Sequence, residues 1–196
     1  MRAILSALAG LTLLILTGTA QAQPLPYRID REHAHFAFLV SHIGFAKTLG
    51  EFREVEGGFT FDEAAMTVSD VKVTVKTASV DTNHAARDAH LRKKDFLWSD
   101  AHPTMTFVGT GTERTGERTG RITGDLTLRG VTRPVTFDVT LNKTGRYPFG
   151  PKHYAVGVSA RGQIKRSDFG MTYGVADGLV GDAVDILIEF EGIRQE

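Results

Sequence analysis

The chain has 196 residues, 23 basic against 23 acidic side chains, and no cysteine. A balanced charge gives no broad basic field, which excludes nucleic acid or an anionic surface held by bulk electrostatics. Without cysteine there is no thiol nucleophile, no thiolate metal site and no disulfide, so the fold must rest on its hydrophobic core.

The first 22 residues are set apart. Arg2 provides a positive start, Ala3 to Leu16 is mostly apolar, and Ala20-Gln21-Ala22 fits an A-x-A cleavage site. The apolar stretch falls short of the roughly 20 residues that a spanning helix needs. We read residues 1–22 as a cleaved secretory signal and residues 23–196 as one exported domain.

From there the chain alternates apolar and polar residues with period two, the mark of strands with one buried face. Expected strands cover His33–His42 and Leu49–Asp62, the second with a bend or bulge at Gly57-Gly58. Val71, Val73 and Val75 then oppose Lys72, Thr74 and Lys76. Pro103–Glu113 follows, ending in the tandem repeat ERTGERTG at 113–120, which reads as a solvated hairpin tip. Ile122, Leu126 and Leu128 oppose Thr123, Asp125 and Thr127; Val135, Phe137, Val139 and Leu141 oppose Thr136, Asp138, Thr140 and Asn142. Tyr154–Lys165 is a weaker strand. In the last, Val184, Ile186, Ile188 and Phe190 oppose Asp185, Glu189 and Glu191.

The polar face carries Lys72, Lys76, Asp138, Arg161, Lys165, Asp185, Glu189 and Glu191. Charges facing a bilayer midplane cost ~2–4 kcal/mol each for Arg or Lys. The charged face therefore meets water and the apolar face points inward, the reverse of an outer-membrane barrel. About eight antiparallel strands avoid open edges by closing. A flat two-sheet sandwich uses the same alternation, and an apolar interior can be filled or hollow.

One segment departs from this pattern. From Thr82 to Arg92 the period is helical, with Asp81, Thr82 or Asn83 available as cap and Ala85, Ala86 and Ala89 as a small-residue stripe facing the barrel. Asp88 and Arg92 form an i,i+4 pair, Lys93-Lys94-Asp95 ends the helix, and Phe96, Leu97 and Trp98 return to the core.

Several constellations suggest chemistry but lack the partners it needs. His33 and His35 share a strand face as an H-x-H pair, but no third ligand has recognisable spacing, and no metal site is expected. His84, Asp88 and His90 could serve acid–base chemistry, although helix spacing alone places them together. Ser79 and Ser167 lack a G-x-S-x-G elbow. Asp168-Phe169-Gly170 lacks the other kinase signatures, and Gly109 and Gly111 lack a βαβ unit; no cofactor is expected.

The order and spacing of many short pieces resemble the YceI-like family over nearly all of residues 23–196. They are Tyr27-Arg28-Ile29-Asp30, His33, Phe38, His42 and Gly44; Gly50-Glu51-Phe52; Gly58-Phe59-Thr60-Phe61-Asp62; and Ser79-Val80-Asp81-Thr82 with Arg87-Asp88, His90-Leu91-Arg92 and Asp95-Phe96. Later come His102-Pro103, Gly124-Asp125-Leu126-Thr127-Leu128, Gly130-Val131-Thr132, Pro134-Val135 and Arg166-Ser167-Asp168-Phe169-Gly170-Met171. Ala34 departs from the serine common there.

The resemblance implies an all-β fold, an eight-stranded antiparallel lipocalin-like barrel with one short helical insert. It also implies a periplasmic protein that holds a long-chain isoprenoid or similar lipid in an apolar tunnel, with no catalytic machinery. The expected lining is Phe36, Phe38, Val40, His42, Phe59, Phe61, Val73, Val75, Phe107, Phe137, Ile186 and Ile188; Arg87, Asp88, His90 and Arg92 are expected to shape or gate a mouth. Two rival readings stand beside this one. A solid barrel would act through its surface, on a membrane redox protein or on a second copy of itself as a homodimer. A lipid-modifying enzyme would use His84, Asp88 and His90.

Overall fold

The computed structural model describes residues 23–196, so the signal sequence expected at 1–22 lies outside the described residues. The alternating segments become β1 (Leu25–His42), β2 (Ala46–Phe52), β3 (Val55–Asp62), β4 (Thr67–Lys76), β5 (Val80–Asp81), β6 (Thr104–Arg114), β7 (Thr119–Leu128), β8 (Val131–Arg146), β9 (Tyr154–Lys165) and β10 (Val180–Arg194). One helix, α1 (Ala85–Leu91), and two 3₁₀ turns, Thr77–Ser79 and Arg166–Phe169, complete the set among the described residues.

Every pairing is antiparallel, and β10 returns to β1, from Tyr27 opposite Arg194 to His42 opposite Val180. The sheet is therefore a closed barrel with eight wall positions, because β2 and β3 share one position and β4 and β5 another. The single strand expected over Leu49–Asp62 is thus two strands, broken at Arg53-Glu54. The break is satisfied locally: the Arg53 amide donates to the Ser79 carbonyl at 3.2 Å and the Glu54 amide to Ser79 Oγ at 3.1 Å. Gly57 and Gly58 do mark an irregularity, between Gly58 and Thr60. A Cβ at Gly57 would lie 2.4 Å from the Lys72 carbonyl oxygen and one at Gly58 2.5 Å from that of Tyr27, so neighbouring backbones press on both.

The apolar faces point inward and pack around Ile29, Phe36, Phe52, Val75, Leu126, Leu128, Val135 and Phe137. The outer face carries cross-strand polar contacts, Arg121 to Asp138 at 3.1 Å, Gln163 to Asp185 at 2.7 Å and Arg161 to Glu189. One end of the barrel bears the β6–β7 hairpin, the β3–β4 turn and the loop 147–153. The other bears the long insert between β5 and β6 and the segment between β9 and β10.

Candidate functional site: an apolar cavity in the barrel

The barrel encloses a cavity of about 430 Å³, within the ~300–1,000 Å³ usual for ligand pockets. Phe36, Phe38, Val40, Phe59, Phe61, Val73, Val75, Phe107, Phe137, Ile186 and Ile188 all line it. His42 does not, although it keeps the parity of Phe36, Phe38 and Val40. The register against β10 slips between Val40 and His42, where Gly181, Asp182 and Ala183 of β10 face Ser41 alone, and His42 is exposed. The expected lining is corrected at that position.

The wall stays open because its phenylalanines lie flat on neighbouring glycines. A Cβ at Gly50 would sit 2.2 Å from Phe38 Cζ, one at Gly124 2.4 Å from Phe107 Cζ, and one at Gly162 2.7 Å from Phe137 Cδ1. Phe107 and Phe137 then meet edge to face at 5.3 Å, a favoured aromatic geometry.

The two ends of the cavity differ. At the hairpin end it reaches Glu113, Arg114, Glu117, Arg118 and Thr119, all exposed. This is the mouth, and the ERTGERTG repeat, read from sequence as a plain solvated tip, forms its rim. At the insert end it stops against buried residues: Val80, Phe96, Leu97, Leu128, Met171 and Arg166. This is the floor.

Arg166, absent from the expected site, is 3% exposed and its guanidinium is clasped by carbonyls. Nε donates to Gly181 O at 2.8 Å, one terminal nitrogen to Met171 O at 2.8 Å, and the other to Tyr173 O at 2.7 Å and Val180 O at 2.9 Å. Burial pushes its pKa down, and the Asp182 charge acts in the opposite direction. Asp182 accepts from the Ser167 amide at 2.9 Å and the Ser167 hydroxyl at 2.8 Å. Burial opposes its charge, but these bonds and Arg166 hold the carboxyl below the usual carboxylate range.

Comparison with known proteins places this architecture. The YceI-like domain model matches residues 27–192. The chain belongs to the YceI-like family. A UPF0312 protein of Azotobacter vinelandii is 43% identical over 182 residues, covering 92% of this chain and 93% of the relative. The crystal structure of the Campylobacter jejuni YceI protein superposes with a TM-score of 0.72 at 30% identity, over 80% of this chain and 90% of that one. A polyisoprenoid-binding domain from Saccharophagus degradans shares the fold at a TM-score of 0.66 and 16% identity, over 87% of this chain and 99% of that one.

In this YceI-like barrel the insert is bolted to the floor, away from the mouth. Arg87 donates from Nε to Thr82 Oγ1 and from a terminal nitrogen to Thr82 O, both at 2.7 Å. Asp88 is buried and accepts from the Thr82 amide at 2.9 Å as well as from its hydroxyl. Arg92 donates to Ala78 O at 2.8 Å and Val80 O at 3.0 Å. His90 packs edge-on against Phe96 at 5.0 Å and Tyr173 at 5.2 Å. None of Arg87, Asp88, His90 and Arg92 lines the cavity, so the expected mouth group is a set of tethers at the opposite end.

The helix itself is shorter than expected and differently capped. His84 is the cap, with Nδ1 accepting from the Arg87 amide at 3.2 Å. Asp81 and Thr82 are occupied elsewhere, and Asn83 takes a φ of 60°. Ala85, Ala86 and Ala89 are exposed, so the alanine stripe faces water and the helix packs through Asp88, Leu91 and Arg92. The i,i+4 pair of Asp88 and Arg92 gives way to these tethers. His84, Asp88 and His90 are engaged separately and share no site. His33 and His35 also diverge, His33 Nδ1 lying 2.7 Å from Asp30 and His35 Nδ1 2.8 Å from Glu51.

Proposed function

We propose that this protein is a periplasmic carrier or store of a long-chain apolar lipid, most closely fitted by a polyisoprenoid, and that it works by binding without chemistry. The observation that carries this reading is a hollow barrel whose wall, floor to mouth, is apolar side chain, with Arg166 capped by carbonyls and charge gathered at the rim. Such a wall takes an oily chain out of water at ~25 cal/mol per Å² of apolar surface, or ~0.8 kcal/mol per methylene. Affinity then rises with chain length until the floor is reached. The family, and a shared fold with a domain described as polyisoprenoid-binding, support the same cargo.

The test is mass spectrometry of solvent extracts from the mature protein, purified from its native periplasm without detergent. A stoichiometric long-chain lipid is expected. A clean extract, with no uptake when prenyl lipids are then offered, overturns the proposal. Phe107→Asp places a charge in the wall and is expected to abolish loading; a folded variant that loads fully removes Phe107 from the ligand path.

A further inference from the structure

The seam between β1 and β10 is interrupted on the outer wall. Ile29 stands opposite Gly192 and Ala34 opposite Phe190, so Asp30, Arg31, Glu32 and His33 all face the single residue Glu191. The Glu32 amide donates to Asp30 Oδ1 at 3.2 Å and folds the bulge on itself, while Arg31 reaches away to Glu56 at 2.6 Å. What remains beside Glu191 is one carboxylate and one imidazole. The Tyr147 hydroxyl is also set against the Glu191 carboxylate; burial, the larger cause, and this carboxylate together push the Tyr147 pKa up. A ligand atom from each of Asp30, His33 and Glu191 lies within 4.8 Å of the other two.

Glu191 adds an independent sign. Its Oε2 is shut off from solvent and no donor meets it in hydrogen-bonding geometry, the Tyr147 hydroxyl beside the carboxylate included, an arrangement that is costly for a carboxylate and calls for a partner. The loop 147–153 roofs this corner: Tyr147 lies 6.3 Å from the His33 ring and stacks on His153 at 4.8 Å. His153 Nε2 is also buried and unpartnered. The His33 side chain is 49% exposed, which leaves its ring free to turn and the site open to an ion from solution.

One imidazole nitrogen with two carboxylate oxygens is a borderline-hard donor set, suited to Zn²⁺ and ions like it, with a position left for water. We propose that Asp30, His33 and Glu191 bind a divalent transition-metal ion of the zinc class and that this ion ties the first strand of the barrel to the last. The His33–Asp30 hydrogen bond is the contact the ion replaces. The site is on the outer wall and depends on nothing said of the lipid.

Calorimetric titration of chelator-treated protein with zinc chloride tests it, in the wild type, His33→Ala, Glu191→Gln and His35→Ala. One equivalent should bind to the wild type and raise its melting temperature. His33→Ala and Glu191→Gln should each weaken binding by at least about tenfold and lose the thermal shift, with His35→Ala like the wild type. The two informative variants lie on different strands, and Glu191→Gln keeps its shape, so one poorly folded protein does not decide the result. Wild-type affinity in either variant, equal loss in His35→Ala, or no binding below millimolar zinc overturns the site.

Discussion

The two ends of the barrel are made of different material. The floor is a closed set of tethers in which Arg166, Asp182, Asp88 and Arg92 spend their hydrogen bonds on backbone and hydroxyl groups around that end of the barrel. The mouth is a hairpin of exposed charged residues that touches the cavity without sealing it. The difference assigns separate tasks. In the proposed lipid-binding role, the floor would fix how deep a ligand can lie, and the mouth would govern how it enters.

That contrast can be broken from the floor outward. Arg166→Ala strands four carbonyls and should cost about 3–5 kcal/mol, seen as a large fall in the urea midpoint. At the wall, Gly50→Ala drives a methyl into the Phe38 ring, which must swing into the cavity. Overpacking of this kind costs ~1–3 kcal/mol, and lipid loading should fall with it, read by mass spectrometry of the extract.

Asp182→Asn should cost about 1–2 kcal/mol at neutral pH and sharpen the comparison through pH. The folded protein holds this carboxyl below its unfolded value of about 3.9. Its contribution is therefore complete above that value and lost as pH falls through the folded pKa. Stability curves of wild type and variant should converge below about pH 4. The smallest effect belongs to the rim: Glu117→Ala should change stability by less than about 0.5 kcal/mol while altering the rate of lipid uptake.

The wall was legible in the sequence because period-two alternation states which side chains share a face. Val73 and Val75, Ile186 and Ile188 followed that rule without exception into the cavity lining. His42 failed because the partner strand bulges there: Gly181, Asp182 and Ala183 of β10 face Ser41 alone, and nothing in the pattern of β1 marks it. Hollowness was not legible either, since an inward Phe107 reads the same whether it meets another side chain or empty space. The glycines that seat these rings are inward positions too, visible only once pairing brings Gly50 opposite Phe38. Arg166 was missed because an arginine at a strand end has the pattern of a surface residue. The alanines of the insert misled for a related reason, since helical period identifies stripes but not which one is turned to the barrel.

The closing seam also fixes an order of events during synthesis. Tyr27 is made long before its partner Arg194, so the circle stays unfinished until β10 is available. Pairings this distant in sequence carry a large loop-closure entropy and form slowly. A nascent chain lacking β10 keeps two unpaired edges, and in that condition it is still a thread rather than a vessel.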